Sequence, residues 1–255
     1  MSKGYIIFAQ GQFIDMAVLL AKSIKATQSS VSNVSLITDQ LYEGDLFDHI
    51  IPISGNNVIY NRTQIYKLSP YEETVMLDAD MLFLSDVSHW WDHFNKYDLL
   101  VTNKVNTYRG DLVTSTFYRK TFVSNQLANC YCAFTYFKKS STAEEFFNLL
   151  SSIVTNWDDW TMRYAPEDRQ TWPSIDVAMG MAVNLLDINV FSPLDYPTFT
   201  HLKSGCQGWA NFSEDWRTHL GVYISSGQLR LGNHIQSGIL HYVDKKVSNE
   251  LLHLF

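Results

Sequence analysis

Val75-Met76-Leu77-Asp78-Ala79-Asp80-Met81-Leu82-Phe83 sets two carboxylates in the middle of an otherwise apolar stretch. Glu73 to Leu77 reads as a strand, and Met81 to Leu84 continues extended. Burying two ionised carboxylates in such a place is costly unless something positive pairs with them. At a spacing of two on extended backbone, both side chains point to the same side. The C-terminal end of a strand in an open α/β sheet is where ligands bind. Hard carboxylate oxygens suit Mg²⁺ or Mn²⁺. A divalent ion there can bridge to a diphosphate and neutralise the charge that develops as it leaves. The alternative is that Asp78 caps a turn and Asp80 faces water. Asp-x-Asp alone is a common pattern, so the apolar flanks and the strand before it carry the argument.

The surroundings fit an α/β sheet. Tyr5 to Ala9 is a short apolar run broken by Gln10 and Gly11. Phe13 to Lys25 has helical periodicity, with Phe13, Met16, Ala17, Leu20 and Ile24 on one face. Val34 to Ile37 and His49 to Ile53 are further strand-like runs. This tight succession predicts a mostly parallel central sheet flanked by helices. Arg62 to Leu68 and Val87 to Phe94 read as helices, and Leu99 to Thr102 as a strand. Beyond it, residues 103 to 128 are polar and irregular. A strand over Ala128 to Phe137 and helices over Thr142 to Val154, Ser174 to Leu186 and Val247 to Phe255 are expected. Asn156 to Trp172 shows no clear period, and residues 187 to 237 read as loops before a last strand, Gly238 to Tyr242. No repeat or linker divides the chain. One domain is expected, with a regular half at 1–102 and an acceptor-side half at 103–255.

Other residues can join the carboxylates. Arg62 precedes Asp78 on the helix leading into that strand, where a guanidinium could pair with phosphate oxygens or with Asp78 itself. His241 ends an apolar strand and can offer an imidazole to a metal. Lys245 and Lys246 follow it and could reach phosphate. Each also has a plain alternative: a solvated arginine, a hydrogen-bonded buried histidine, a solvated lysine pair. Asp176, near the start of a helix, is either a carboxylate near a reacting centre or an acidic residue favoured by the helix dipole.

The composition narrows the function classes. The 255 residues are 46% hydrophobic, with 15 Phe, 14 Tyr and 7 Trp, enough for a substantial core. A formal charge of −7 argues against non-specific nucleic-acid binding, which relies on clustered Lys and Arg. Cys130, Cys132 and Cys206 lack zinc-site spacing and read as reduced thiols. No apolar run reaches transmembrane length and no signal-peptide pattern opens the chain, so a cytoplasmic protein is expected.

These pieces, in order, resemble the GT-A glycosyltransferases of the glycogenin and lipopolysaccharide galactosyltransferase type. The similar segments are Tyr5 to Gly11 with the helix after it, Val34 to Asp39, Arg62, Lys67 to Tyr71, Val75 to Asp80, and His241 to Lys246. The resemblance implies a GT-A nucleotide-sugar transferase fold with a Rossmann-like sheet. It implies transfer of a sugar, with retention, from a nucleoside-diphosphate sugar, UDP being the expected nucleotide. Asp78, Asp80 and His241 would hold Mn²⁺ or Mg²⁺. Arg62 would contact the donor, Lys245 or Lys246 would steady the diphosphate, and Ala9 and Gly11 would lie along the nucleotide. Arg62 and Asp176 are the expected catalytic residues. The acceptor would be a saccharide, a protein or a hydroxymethylated nucleic-acid base. The sequence departs from the family at Asn129-Cys130-Tyr131, which lacks the glycine of the family's Asn-x-Gly, and at Asp176, which lacks an adjacent Gln.

Two other functions fit the same residues. A nucleotidyltransferase also uses paired carboxylates and a divalent ion, but wants a Gly-rich basic loop near the first strand, where this chain has Gly11 alone. A non-catalytic carbohydrate-binding protein could stack sugars on Trp157, Trp160, Trp172 and Trp209, although it would not need Asp78, Asp80 and His241.

Overall fold

A computed structural model of the chain describes residues 2–114, 117–209, 216–244, 251 and 254–255. The first strands are β1 (Lys3–Phe8), β2 (Val34–Thr38), β3 (His49–Pro52) and β4 (Glu73–Asp78). They pair in parallel in the order β3-β2-β1-β4. β5 (Met81–Phe83) leaves this sheet, as does β7 (Lys104–Asn106). β6 (Leu99–Thr102) and β8 (Tyr131–Lys138) complete it, β8 running antiparallel between β4 and β6.

Strand alternation builds two cores from one sheet. Tyr5 and Ile7 face the helix Ile14–Thr27, while Ile6 and Phe8 face the helices Ser141–Thr155 and Ile175–Leu186. β1 and β2 are covered on both faces, which is why they read as unbroken apolar runs. β3 is the edge and stays largely exposed. Glu73, the first residue of β4, accepts a hydrogen bond from the Tyr136 hydroxyl at 2.9 Å and pairs with Lys3 at 3.3 Å.

A smaller sheet stands beside the first. It comprises β5, β7, β9 (Thr198–His201) and, beyond a hairpin, the strand Ile239–His241. The hairpin contributes β10 (Val222–Ser225) and β11 (Gln228–Leu231), with β12 (His234–Ile235) alongside. Ile239–His241 is then β13. It pairs antiparallel with β5, His241 opposite Met81, and parallel with β9, His241 opposite His201.

Three expectations change. The backbone is not extended through Asp78-Ala79-Asp80: β4 ends at Asp78, and a turn at Ala79 and Asp80 carries the chain into the small sheet. The stretch 187–237 holds β9 to β12 as well as loops, because strands of two to four residues are too short to leave a periodic signal. Asn156 to Trp172 includes a helix, Trp157–Tyr164, whose buried positions are only Trp157 and Thr161. The helix expected at Val247 to Phe255 lies mostly outside the described residues. Ser174 does cap its helix, accepting from the Val177 N–H.

Candidate active site

The turn between the two sheets sets the site. Asp78 closes β4 opposite Phe8 of β1. Two residues on, the Asp80 carbonyl accepts the Tyr242 N–H at 3.0 Å, which ties the turn to the end of β13. β13 thereby brings His241 to the carboxylates from far along the chain. One ligand atom from each of Asp78, Asp80 and His241 lies within 4.8 Å of the others. The spacing of two therefore succeeds through a turn and a second sheet, not through strand alternation.

Charges in this cluster compensate one another. The Arg62 guanidinium donates to Asp78 Oδ1, and both side chains are 17% accessible. Asp80 Oδ1 lies 3.1 Å from His241 Nε2. Burial raises Asp78 above the usual carboxylate range, and Arg62 only partly offsets it. Burial also opposes ionisation of Asp80, but the His241 imidazole, the local backbone and Arg62 together hold that carboxyl low. Burial pulls His241 down, yet the Asp80, Asp78 and Asp176 carboxylates together raise it. The buried His241 Nδ1 has no hydrogen-bond partner among the described residues. Two carboxylates and one imidazole with a spare nitrogen form a mixed oxygen–nitrogen donor set that fits a divalent cation.

The end of β1 forms another wall. Ala9 N–H donates to the Ile37 carbonyl at 2.9 Å, and Gly11 N–H donates to Asp39 Oδ1 at 2.8 Å. Gly11 has φ +60, and a Cβ there would meet nothing within 4 Å, so its exposed backbone borders open space. Buried Gln10 accepts from Asn61 Nδ2 and donates to the Gly55 carbonyl. Those bonds link this loop to the helix that carries Arg62, Val58–Thr63.

Asp176 lies at the start of the helix Ile175–Leu186, which packs in the same core as Ile59 and Ile65 on either side of Arg62. Its carboxylate accepts the Cys132 N–H at 2.8 Å and lies 3.4 Å from Arg119 Nη1. It is close enough to act electrostatically on Arg62, Asp78 and His241. Burial would raise Asp176, but Arg119 and the Cys132 N–H outweigh that and lower it. Asp176 thus faces the cluster as an ionised carboxylate. Lys245 and Lys246 lie outside the described residues. His234 is exposed in β12, beside the Tyr108 ring, away from the metal-ligand cluster.

Sequence reasoning passed over two residues here. Arg119 comes from residues 103–128, expected to be irregular, but the structure places β7 there and a short helix, Lys120–Ser124, directly after Arg119; nothing in the sequence marks it. Its guanidinium lies between the rings of Phe122 and Tyr131, 3.9 and 4.1 Å from their centroids, and also donates to the Cys130 carbonyl. His201 lacks any metal-ligand spacing in sequence, but the parallel register of β9 and β13 stacks its ring on His241, centroids 4.7 Å apart. Burial holds the His201 imidazole well below its usual range, so it is neutral. Arg119, Asp176 and His201 line one cavity of about 750 Å³.

Arg119 positions Asp176, and its removal has a defined signature. A carboxylate with a lowered folded pKa adds stability above its unfolded value, about 3.9, and that stability is lost as pH falls through the folded value. Arg119→Met should cost about 1.5–3 kcal/mol at pH 7, and progressively less as pH falls below about 3.9 toward the folded value. Urea melts of the variant and the unmodified chain at a series of pH values from 7 downward measure the difference.

No family model matches the chain, and no curated protein matches it in sequence. Solved structures do match. The glycosyltransferase GlyE of Streptococcus pneumoniae TIGR4 superposes over 99% of this chain and 60% of its own, at 14% identity and a TM-score of 0.53. The galactosyltransferase LgtC, solved with donor and acceptor sugar analogues, superposes over 98% of this chain and 95% of its own, at 11% identity and a TM-score of 0.56. The apo form of GlyE matches equally, at a TM-score of 0.53. The chain thus spans about three fifths of the length of GlyE and nearly all of LgtC. It shares the fold of these glycosyltransferases.

Proposed function

We propose that the chain is a metal-dependent glycosyltransferase that moves a sugar from a nucleoside-diphosphate sugar, UDP being the preferred nucleotide, to an acceptor hydroxyl. The observation that carries this is the meeting of Asp78, Asp80 and His241 at the junction of two sheets, on a fold shared with glycosyltransferases. Asp78, Asp80 and His241 would hold the ion, Mn²⁺ in preference to Mg²⁺ because an imidazole joins the oxygens. When bound, it supplies Lewis-acid stabilisation of the departing diphosphate.

The remaining work falls to side chains. The Gly11 backbone gives a nucleotide close approach without a side chain in the way. Arg62, anchored on Asp78, keeps a fixed positive charge beside the sugar and phosphates. Lys245 or Lys246 would add a further charge to the diphosphate. Asp176, oriented by Arg119 and the Cys132 N–H, presents an ionised carboxylate to the developing positive charge on the sugar. Transfer with retention is the stereochemical outcome we assign. Among the described residues no helix is long and apolar enough to cross a membrane, and the three cysteines are free and buried. We place the enzyme in the cytoplasm.

Two measurements test the proposal. UDP with Mn²⁺ should raise the thermal midpoint, whereas UDP with a chelator should not, since only ligands of the folded state shift it. An equal shift with chelator would contradict the metal. Asp176→Asn should keep UDP affinity but slow transfer by about 100-fold or more, the scale of losing one preorganised electrostatic group. Unchanged turnover would remove Asp176 from the reacting centre.

A further inference from the structure

The cavity beside Asp176 carries positive charge in a chain whose net charge is −7. Its lining includes Arg119, Lys120, Arg169 and Lys203, against Asp168 and Asp176. Arg119 is answered by Asp176. Arg169 pairs with Asp158 at 3.1 Å, outside the lining. Asp168 accepts from the Ser124 hydroxyl at 2.5 Å. Lys120 and Lys203 have no carboxylate within ion-pair distance among the described residues. Lys120 Nζ lies 5.6 Å from the centroid of the Phe117 ring in the same wall. The lining includes Asp176 and His201 but, among the described residues, not Ala9, Gly11, Asp78 or Asp80. The cavity thus shares Asp176 with the cluster but none of the residues assigned to the nucleotide at the end of β1.

We propose that the acceptor is a saccharide bearing an anionic group, a phosphate, sulfate or carboxylate, held in this cavity by Lys120 and Lys203. This rests on the glycosyltransferase function proposed above. A neutral acceptor would strip water from the two ammonium groups and replace it with weaker contacts. An anion replaces that water with charge-assisted hydrogen bonds. Arg169 stands beside them with donors left over from its bond to Asp158. The group that receives the new bond is a hydroxyl of the same saccharide, presented toward Asp176.

The test uses a glycan array in which phosphorylated, sulfated and sialylated saccharides stand beside their neutral counterparts. The full chain is applied with saturating UDP and Mn²⁺, so that the nucleotide site is filled. Charged members should be retained at least tenfold better than their neutral partners. The double variant Lys120→Ala/Lys203→Ala should bring retention to near parity while UDP affinity, read by calorimetry, stays within about twofold. The three anion classes show which charge the cavity takes. Equal retention of neutral and charged members, or no retention of any charged member, overturns the proposal. So does a loss of UDP affinity in the variant that matches its loss of glycan retention, which would assign the lysines to the donor. Failure of UDP to bind the unmodified chain with Mn²⁺ is a separate result, and overturns the glycosyltransferase function instead.

Discussion

Asp80→Ala should abolish Mn²⁺-dependent UDP binding and slow donor turnover by at least 100-fold while leaving the fold intact. The residue sits in a turn rather than within a strand, so its loss removes no ladder hydrogen bond. What holds the turn is its carbonyl, which accepts the Tyr242 N–H in any variant. The side chain is different in kind. It is one of three groups that converge on a common point, and the partner that keeps His241 in place. Changing groups that merely orient metal ligands costs about 10–100-fold in affinity or activity. Loss of a ligand should exceed that range. Circular dichroism and the thermal midpoint would establish that the variant is folded, and calorimetry with Mn²⁺ and UDP would measure the loss. Turnover near that of the unmodified chain would mean the carboxylate has no part in the chemistry.

Arg62→Met should have the largest effect on stability, about 3 kcal/mol, the low end of the cost of breaking a fully buried pair, because it leaves the partly buried Asp78 without its countercharge. Asp78 and Asp80 would then repel each other with only His241 to answer them. The same variant offers a second readout. A divalent cation placed among the three ligands would return positive charge to the cluster. Mn²⁺ should therefore raise the midpoint of Arg62→Met more than that of the unmodified chain. If the two shifts are equal, Arg62 and the metal do not share Asp78, and the two halves of the site are independent.

Much of the sheet was legible because its strands are buried on both faces. Tyr5 to Ala9, Val34 to Ile37 and Leu99 to Thr102 read as apolar runs and form β1, β2 and β6 with little shift in bounds. The carboxylate pair was legible for the same reason: Asp78 and Asp80 stand out only against apolar neighbours. The way they converge was not, since a turn and an extended backbone share the same spacing. His241 could be named from its place at a strand end, but the pairing of β13 with β5 that delivers it is a long-range contact with no local signal.

Arg119 shows the opposite case. It is 7% exposed and held between two rings, yet comes from a polar segment where an arginine looks like any solvated cation. Asp176 was ambiguous for a related reason. The first turn of a helix favours an acidic residue whatever its role. Only the Cys132 N–H and Arg119, from other elements, distinguish a positioned carboxylate from a dipole partner.

The most direct measurement is a crystal of the full chain grown with Mn²⁺ and UDP, with anomalous scattering recorded at the manganese edge. A single strong peak within coordination distance of Asp78, Asp80 and His241, touching the UDP diphosphate, is the expected result. A manganese peak elsewhere, or ordered UDP with no peak among those three side chains, would contradict the account.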